Sequence, residues 1–140
     1  MNNKEFLWPI RVYYEDTDSG GVVYHSNYLN FMERARTEWL RSLHLEQDDI
    51  VNEYGVLFVV HSLSINYLKP ALFNEALLVK TTIQKLTKAS IVFEQQIVRK
   101  NAETNEEQIL TKGMVKIVSL GVEQKRPVPL PKSIYDQFCH

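Results

Sequence analysis

From Tyr28 to Leu43, apolar residues recur along one side of a helical wheel and spread well beyond a single stripe. That breadth limits the possible folds more than any other feature of the chain. Tyr28, Phe31, Met32, Ala35, Trp39 and Leu43 lie at helical spacing, and Leu29 and Leu40 widen them to an arc of about 180° at roughly 100° per residue. A helix on a protein surface needs a narrower stripe. This one requires cover on more than one side, as when a curved sheet wraps around it. Ser26 or Asn27 can cap its start, and no Gly or Pro follows until Gly55.

The rest of the chain supplies the cover. Ile10, Val12 and Tyr14 alternate with Arg11 and Tyr13, which predicts a first strand over residues 10–14. After the long helix, EQDDIVNEYG reads as a short second helix that Gly55 ends. Leu57, Val59, His61, Leu63, Ile65 and Tyr67 then share one parity up to Pro70, which would place His61 on the apolar side of a strand as a partly buried histidine. Leu77, Val79, Thr81 and Ile83 form the next alternation, with Lys80, Thr82 and Gln84 opposite. Ser90 to Arg99 and Gln108 to Leu120 follow, separated by the polar loop NAETNEE. Four long strands joined by short polar turns, with no helix between them, predict an antiparallel sheet. Three prolines in KRPVPLPKS lead into a last short helix from about Lys132. The fold class is α+β, read as one domain over residues 1–140, a length that suits a single core.

Several functions are disfavoured at this level. A formal net charge of -1 gives no reason to expect nucleic acid or an anionic membrane as partner. No apolar run approaches the roughly 18 residues of a membrane span, and MNNKEFLWPI lacks a leader pattern, so a cytoplasmic protein with no integral membrane segment is expected. A lone Cys139 excludes an internal disulfide, and His25, His44, His61 and His140 show no metal-binding spacing, so no metal is expected. Neither G-x-x-x-x-G-K nor G-x-S-x-G occurs.

Chemistry is concentrated between the first strand and the long helix, in EDTDSGGVVYHSNY from Glu15 to Tyr28. Glu15, Asp16 and Asp18 are followed by Gly20 and Gly21, and His25 stands just before the helix. A carboxylate ionised at neutral pH can act as base or nucleophile, while unpaired helix N–H groups face a developing negative charge. Turn and capping chemistry uses the same residue types, and both readings stand on composition alone. Three carboxylates this close repel if all are buried, so Asp16 or Glu15 should be held by backbone N–H groups or an arginine, in a structural role. Glu33 and Arg36 are spaced to pair on the helix. Lys88 and the Lys125–Arg126 pair are either solvated or able to hold phosphates.

The stretch RVYYEDTDSGGVVYHSNYLNFMERARTEWLR, together with LFVVHSLSINYLKPA, IVFEQQIVR and PVPLPKSI, resembles hotdog-fold acyl-CoA thioesterases of the 4-hydroxybenzoyl-CoA thioesterase family. Within that family it is most similar to the bacterial branch associated with the Tol-Pal cell-envelope system. The resemblance covers nearly the whole chain. It implies a hotdog fold, a curved antiparallel sheet around one central helix, assembled as a homodimer or homotetramer with active sites at the dimer interface. It implies hydrolysis of acyl-CoA or acyl carrier protein thioesters with no cofactor. By the family pattern Asp18 is catalytic, and the backbone N–H at His25 binds the thioester carbonyl. Tyr24, Asn27 and Gly21 shape the substrate site, and Lys88 is a candidate for the carrier's phosphates. The family pattern leaves the part played by the His25 side chain open.

Three rivals remain on sequence grounds: a non-catalytic acyl-binding scaffold of the same fold, a hotdog dehydratase using His25 and Asp18, and a magnesium-dependent D-x-D phosphohydrolase carried by IRVYYEDTD. The last normally needs a parallel sheet with alternating helices.

Overall fold

A computed structural model describes residues 4–139. The chain runs β1 (Glu5–Arg11), a single 3₁₀ turn (Tyr14–Asp16), α1 (Asn27–Ser42), α2 (Gln47–Tyr54), β2 (Val56–Tyr67), β3 (Ala76–Leu86), β4 (Ser90–Lys100), β5 (Glu107–Gly121) and α3 (Lys132–Cys139). All strand pairs are antiparallel, in one sheet of order β1-β3-β4-β5-β2. The sheet buries α1 through Tyr28, Phe31, Met32, Ala35, Trp39 and Leu40. This is the hotdog arrangement, an α+β fold, and it explains the breadth of the apolar arc: one helix is covered from several sides.

Two apolar clusters divide α1 by length. Its first half packs with Val12, Val23, Ala71, Val79 and Leu110, and its second half with Ile50, Ile91, Val115, Ile134 and Phe138. The sheet makes room for the helix at Gly113 on β5. A Cβ there would stand 3.1 Å from Met32 Cε and 3.2 Å from the Ser64 carbonyl oxygen.

Two elements differ from the sequence reading. The first strand spans Glu5–Arg11, not residues 10–14. Its alternation has the expected phase, with Phe6, Trp8 and Ile10 inward, but the chain leaves the sheet after Arg11 because Asp16 accepts the Tyr13 amide and curls residues 14–16 into a turn. Val12 stays buried, whereas Tyr14 is 79% exposed. On β2 the register shifts between Val60 and Ser62, so His61 is the extra residue of a bulge and is exposed rather than partly buried. A bulge reverses the parity of everything after it, which is why one alternation could not describe the whole strand.

The sheet also requires two long crossings. β1 and β2 lie at opposite edges, so α1 and α2 carry the chain across one face. Residues 68–75 carry it back from β2 to β3. Both crossings pass the loop before α1, and together they shape the site.

Candidate active site

Residues 16–24 form a miniature hairpin. The Tyr24 amide donates to the Asp16 carbonyl at 2.9 Å, Thr17 and Val23 form an isolated antiparallel bridge, and the Asp18 amide donates to the Val22 carbonyl at 2.9 Å. The turn is closed by the Gly21 amide on the Asp18 carbonyl at 3.1 Å. Gly21 has φ of 80°, a conformation that costs a residue with a Cβ, so glycine is built into the turn. The far side is also anchored: the Val23 amide donates to the Ala71 carbonyl, the Phe73 amide to the Gly21 carbonyl, and Val22 bridges Leu72. An ion pair from Arg99 to Glu75 at 2.8 Å, with Arg99 also donating to the Pro70 carbonyl at 2.6 Å, braces that crossing. The loop is thus held by backbone hydrogen bonds on both of its flanks.

This scaffold separates the two aspartates. Asp16 is structural: its carboxylate accepts the Tyr13 amide at 2.9 Å, and its carbonyl accepts both the Tyr24 amide and the Asn27 side-chain amide, the latter at 2.8 Å. The expected relief of carboxylate crowding by a backbone N–H is realised here, while Glu15 points into solvent. Asp18 stands at the exposed hairpin tip, where one carboxylate oxygen accepts the Gly20 amide at 2.8 Å. Its other oxygen accepts no hydrogen bond among the described residues. Gly20 matters through closeness, since a Cβ there would stand 3.3 Å from that carboxylate.

The hairpin ends where α1 begins. Ser26 occupies the cap position without a capping side-chain bond, and Asn27 turns its amide back to Asp16 and accepts from Asn30 at 3.1 Å. Among the described residues the His25 and Ser26 amides donate to nothing, so the electropositive end of α1 presents free N–H groups. The exposed His25 ring lies 4.4 Å from Tyr24 and 6.3 Å from Tyr67, centroid to centroid. Tyr24 is half exposed at the same mouth. The structure therefore carries Asp18 and Gly21 at the tip of the hairpin, and Tyr24, His25 and Asn27 where it runs into α1. Lys88 is not with them. It lies on the turn after β3, at the opposite end of that strand from the hairpin.

Glu33 and Arg36 do not form the salt bridge expected of them. Glu33 accepts from the Thr37 hydroxyl at 2.6 Å, and Arg36 turns inward to donate to Gln95 Oε1 at 2.8 Å. Fully buried Gln95 donates in turn to the Met32 carbonyl and the Thr81 hydroxyl, linking α1, β4 and β3. Burial pushes the Arg36 guanidinium below its ordinary pKa. Arg36, Leu40, Phe58, Val60 and Phe93 line a cleft of about 510 Å³ between α1 and the β2 edge.

Tyr67 joins this segment from outside the local sequence: its parity places it on a strand face, and its side chain reaches across to the His25 carbonyl, with its hydroxyl donating at 3.1 Å. No local signal marks that contact, because the bulge at His61 decides which way Tyr67 points.

Comparison with known proteins places the chain among thioesterases. The pattern of the thioesterase superfamily matches residues 20–105. The acyl-CoA thioesterase YbgC of Haemophilus influenzae is 41% identical over 140 residues, covering 100% of this chain and 98% of that protein. The acyl-CoA thioester hydrolase YbgC of Shigella flexneri is 44% identical over 138 residues, covering 99% and 98%. Among solved structures, a 1,4-dihydroxy-2-naphthoyl-CoA thioesterase from Synechocystis superposes with a TM-score of 0.86 at 27% identity over 97% of this chain and 96% of that one. A 4-hydroxybenzoyl-CoA thioesterase variant complexed with 4-hydroxybenzoyl-CoA gives 0.87 at 18% identity, covering 97% and 99%, a likeness of fold alone.

Proposed function

The chain belongs to the thioesterase superfamily, and from that premise we propose that it hydrolyses acyl-CoA thioesters, releasing a free acid and coenzyme A. Water adds to the thioester carbonyl, the carbon–sulfur bond breaks, and the proton lost by the water ends on the leaving thiolate. Asp18 is assigned the attacking side of this reaction. It takes the water's proton as general base, or it attacks first and water then hydrolyses the mixed anhydride; the acid and thiol formed are the same. The backbone N–H groups around His25 hold the carbonyl oxygen as it gains charge, aided by the partial positive charge of the α1 N-terminus.

The observation that carries this reading is the contrast within the acidic loop. Asp16 has its carboxylate and carbonyl engaged in holding the hairpin, whereas Asp18 stands at the tip with one oxygen steadied by Gly20 and the other open to a substrate. An acyl-transfer site requires an accessible carboxylate and free amide donors, and this segment supplies both. The same facts disfavour a D-x-D phosphohydrolase, whose paired aspartates would have to converge on one ion, on a parallel sheet. Acyl carrier protein is an alternative carrier for the same thioester. Lys88, at the other end of β3, is assigned to the carrier's phosphates from another copy of the chain, at an active site shared across a dimer interface.

The test is free-thiol release from a panel of acyl-CoA substrates, short aliphatic to long-chain and aromatic, under chelator. Wild-type protein is expected to turn over at least one, and Asp18→Asn to lose at least about a hundredfold in kcat/KM while its circular dichroism is unchanged. Full activity in Asp18→Asn removes the assigned mechanism. No turnover of any thioester by wild type turns the reading to an acyl-binding scaffold.

A further inference from the structure

The peptide units on either side of His25 are both pinned at their carbonyl oxygens. The Tyr24 carbonyl accepts the Asn27 amide at 2.9 Å, a bond made within the helix start itself. The His25 carbonyl accepts the Tyr67 hydroxyl at 3.1 Å, a bond brought in from β2, 42 residues away. Because a peptide is planar and trans, fixing its oxygen also fixes the opposite direction of its N–H. The first bond therefore aims the His25 amide and the second aims the Ser26 amide, and neither amide has another partner among the described residues. A hydrogen bond accepted by the carbonyl also polarises the peptide and strengthens the N–H as a donor.

Tyr67 is itself well held. Its ring packs edge-on to Tyr28 at 5.4 Å and to His25 at 6.3 Å. Buried Tyr28 accepts the Ala71 amide at 3.0 Å, which ties the ring pair to the crossing that braces the hairpin. The next residue continues the anchor, since the Leu68 amide donates to the Leu110 carbonyl at 2.8 Å. The hydroxyl thus reaches the helix entrance from a rigid base.

We propose that Tyr67 is a positioning residue for thioester hydrolysis: its hydroxyl orients the His25–Ser26 peptide so that the amides at the start of α1 converge on the oxyanion. The proposal rests on the hydrolase reading above. Tyr67 touches no reacting atom in this scheme. It acts through the peptide, so its loss is felt when charge develops on the carbonyl oxygen and much less when the substrate first binds.

The test uses Tyr67→Phe, which keeps the ring and removes only the hydroxyl. With the best substrate of the panel, kcat is expected to fall about tenfold, the scale of one lost hydrogen bond, with KM within about twofold and the melting temperature nearly unchanged. A spectroscopic arm separates orientation from folding. Isotope-labelled benzoyl-CoA bound to Asp18→Asn should show its carbonyl infrared band at lower frequency than in solution, and Asp18→Asn/Tyr67→Phe should move it back toward the solution value. An unchanged kcat in Tyr67→Phe overturns the proposal while leaving the hydrolase reading intact, and so does a kcat loss with the band unmoved. Absence of thioester turnover by wild type overturns both.

Discussion

At the level of single residues, neighbours assign different work to identical side chains. Asp16 and Asp18 are two positions apart, yet one binds its own backbone frame and the other faces outward. Asp16→Ala should therefore lower stability by about 1–3 kcal/mol through the orphaned Tyr13 amide, and reduce activity indirectly. Asp18→Ala should leave the chemical-denaturation midpoint close to wild type and abolish turnover. Denaturation and kinetics on the two variants together check the division. Tyr28 gives a second residue-scale prediction. Burial raises its pKa above the ordinary 10.0, so the folded state favours the neutral phenol. The corresponding stability is fully present below pH 10 and is lost as pH rises through the higher folded value. The denaturant midpoint should fall on going above pH 10, and Tyr28→Phe should show a shallower fall from a lower starting point, since it loses the Ala71 bond.

At the level of elements, one close approach and one polar network add to the apolar packing of α1 on the sheet. Gly113 gives Met32 its space, and a larger residue has the helix side chain on one side and the Ser64 carbonyl on the other. Gly113→Val should cost about 1–3 kcal/mol by overpacking, measured as a lower midpoint with unchanged slope. The Arg36–Gln95–Thr81 network is the only polar link described between the middle of α1 and the sheet interior. Gln95→Leu leaves a half-buried guanidinium and a buried hydroxyl without partners, and a loss of roughly 1–3 kcal/mol is expected in the same measurement. The hairpin before α1 depends on backbone pairing on both flanks. Its shape is set by its neighbours as much as by its own turn residues.

At the level of the whole molecule, the two sheet edges are unlike. β1 carries Pro9 and the charged Glu5 and Arg11 among its outward residues, the usual means of discouraging further pairing. β2 is a 12-residue edge with Leu57, Val60 and Leu63 exposed at 41%, 49% and 44%, and it borders the cleft beneath α1. A long apolar edge of this kind calls for a partner strand, and the resemblance implies a second copy of the chain. Light scattering should give the mass of a dimer or tetramer for wild type, and Leu63→Lys should shift it toward monomer. If the active site is shared between copies, hydrolysis should fall with the mass. The described helices include none long and apolar enough to cross a membrane.

Short-range periodicity in the sequence determined the element order, the buried stripe of α1, the stop at Gly55 and the alternation of β3. Each follows from residues within a few positions of one another. The acidic loop was legible in the same way, because its turn chemistry and its place before a helix are local. What tertiary structure alone decided are the meetings of distant residues: Tyr67 on His25, Gln95 on Arg36, Ala71 and Phe73 against the hairpin, and Lys88 far from Asp18. The early end of β1 depends on Asp16 capturing a backbone amide, and the exposure of His61 on how β2 registers against β5. Hydrogen-bond partners across a sheet are set by register. Register is a property of two strands at once, so no single stretch of this chain carries it.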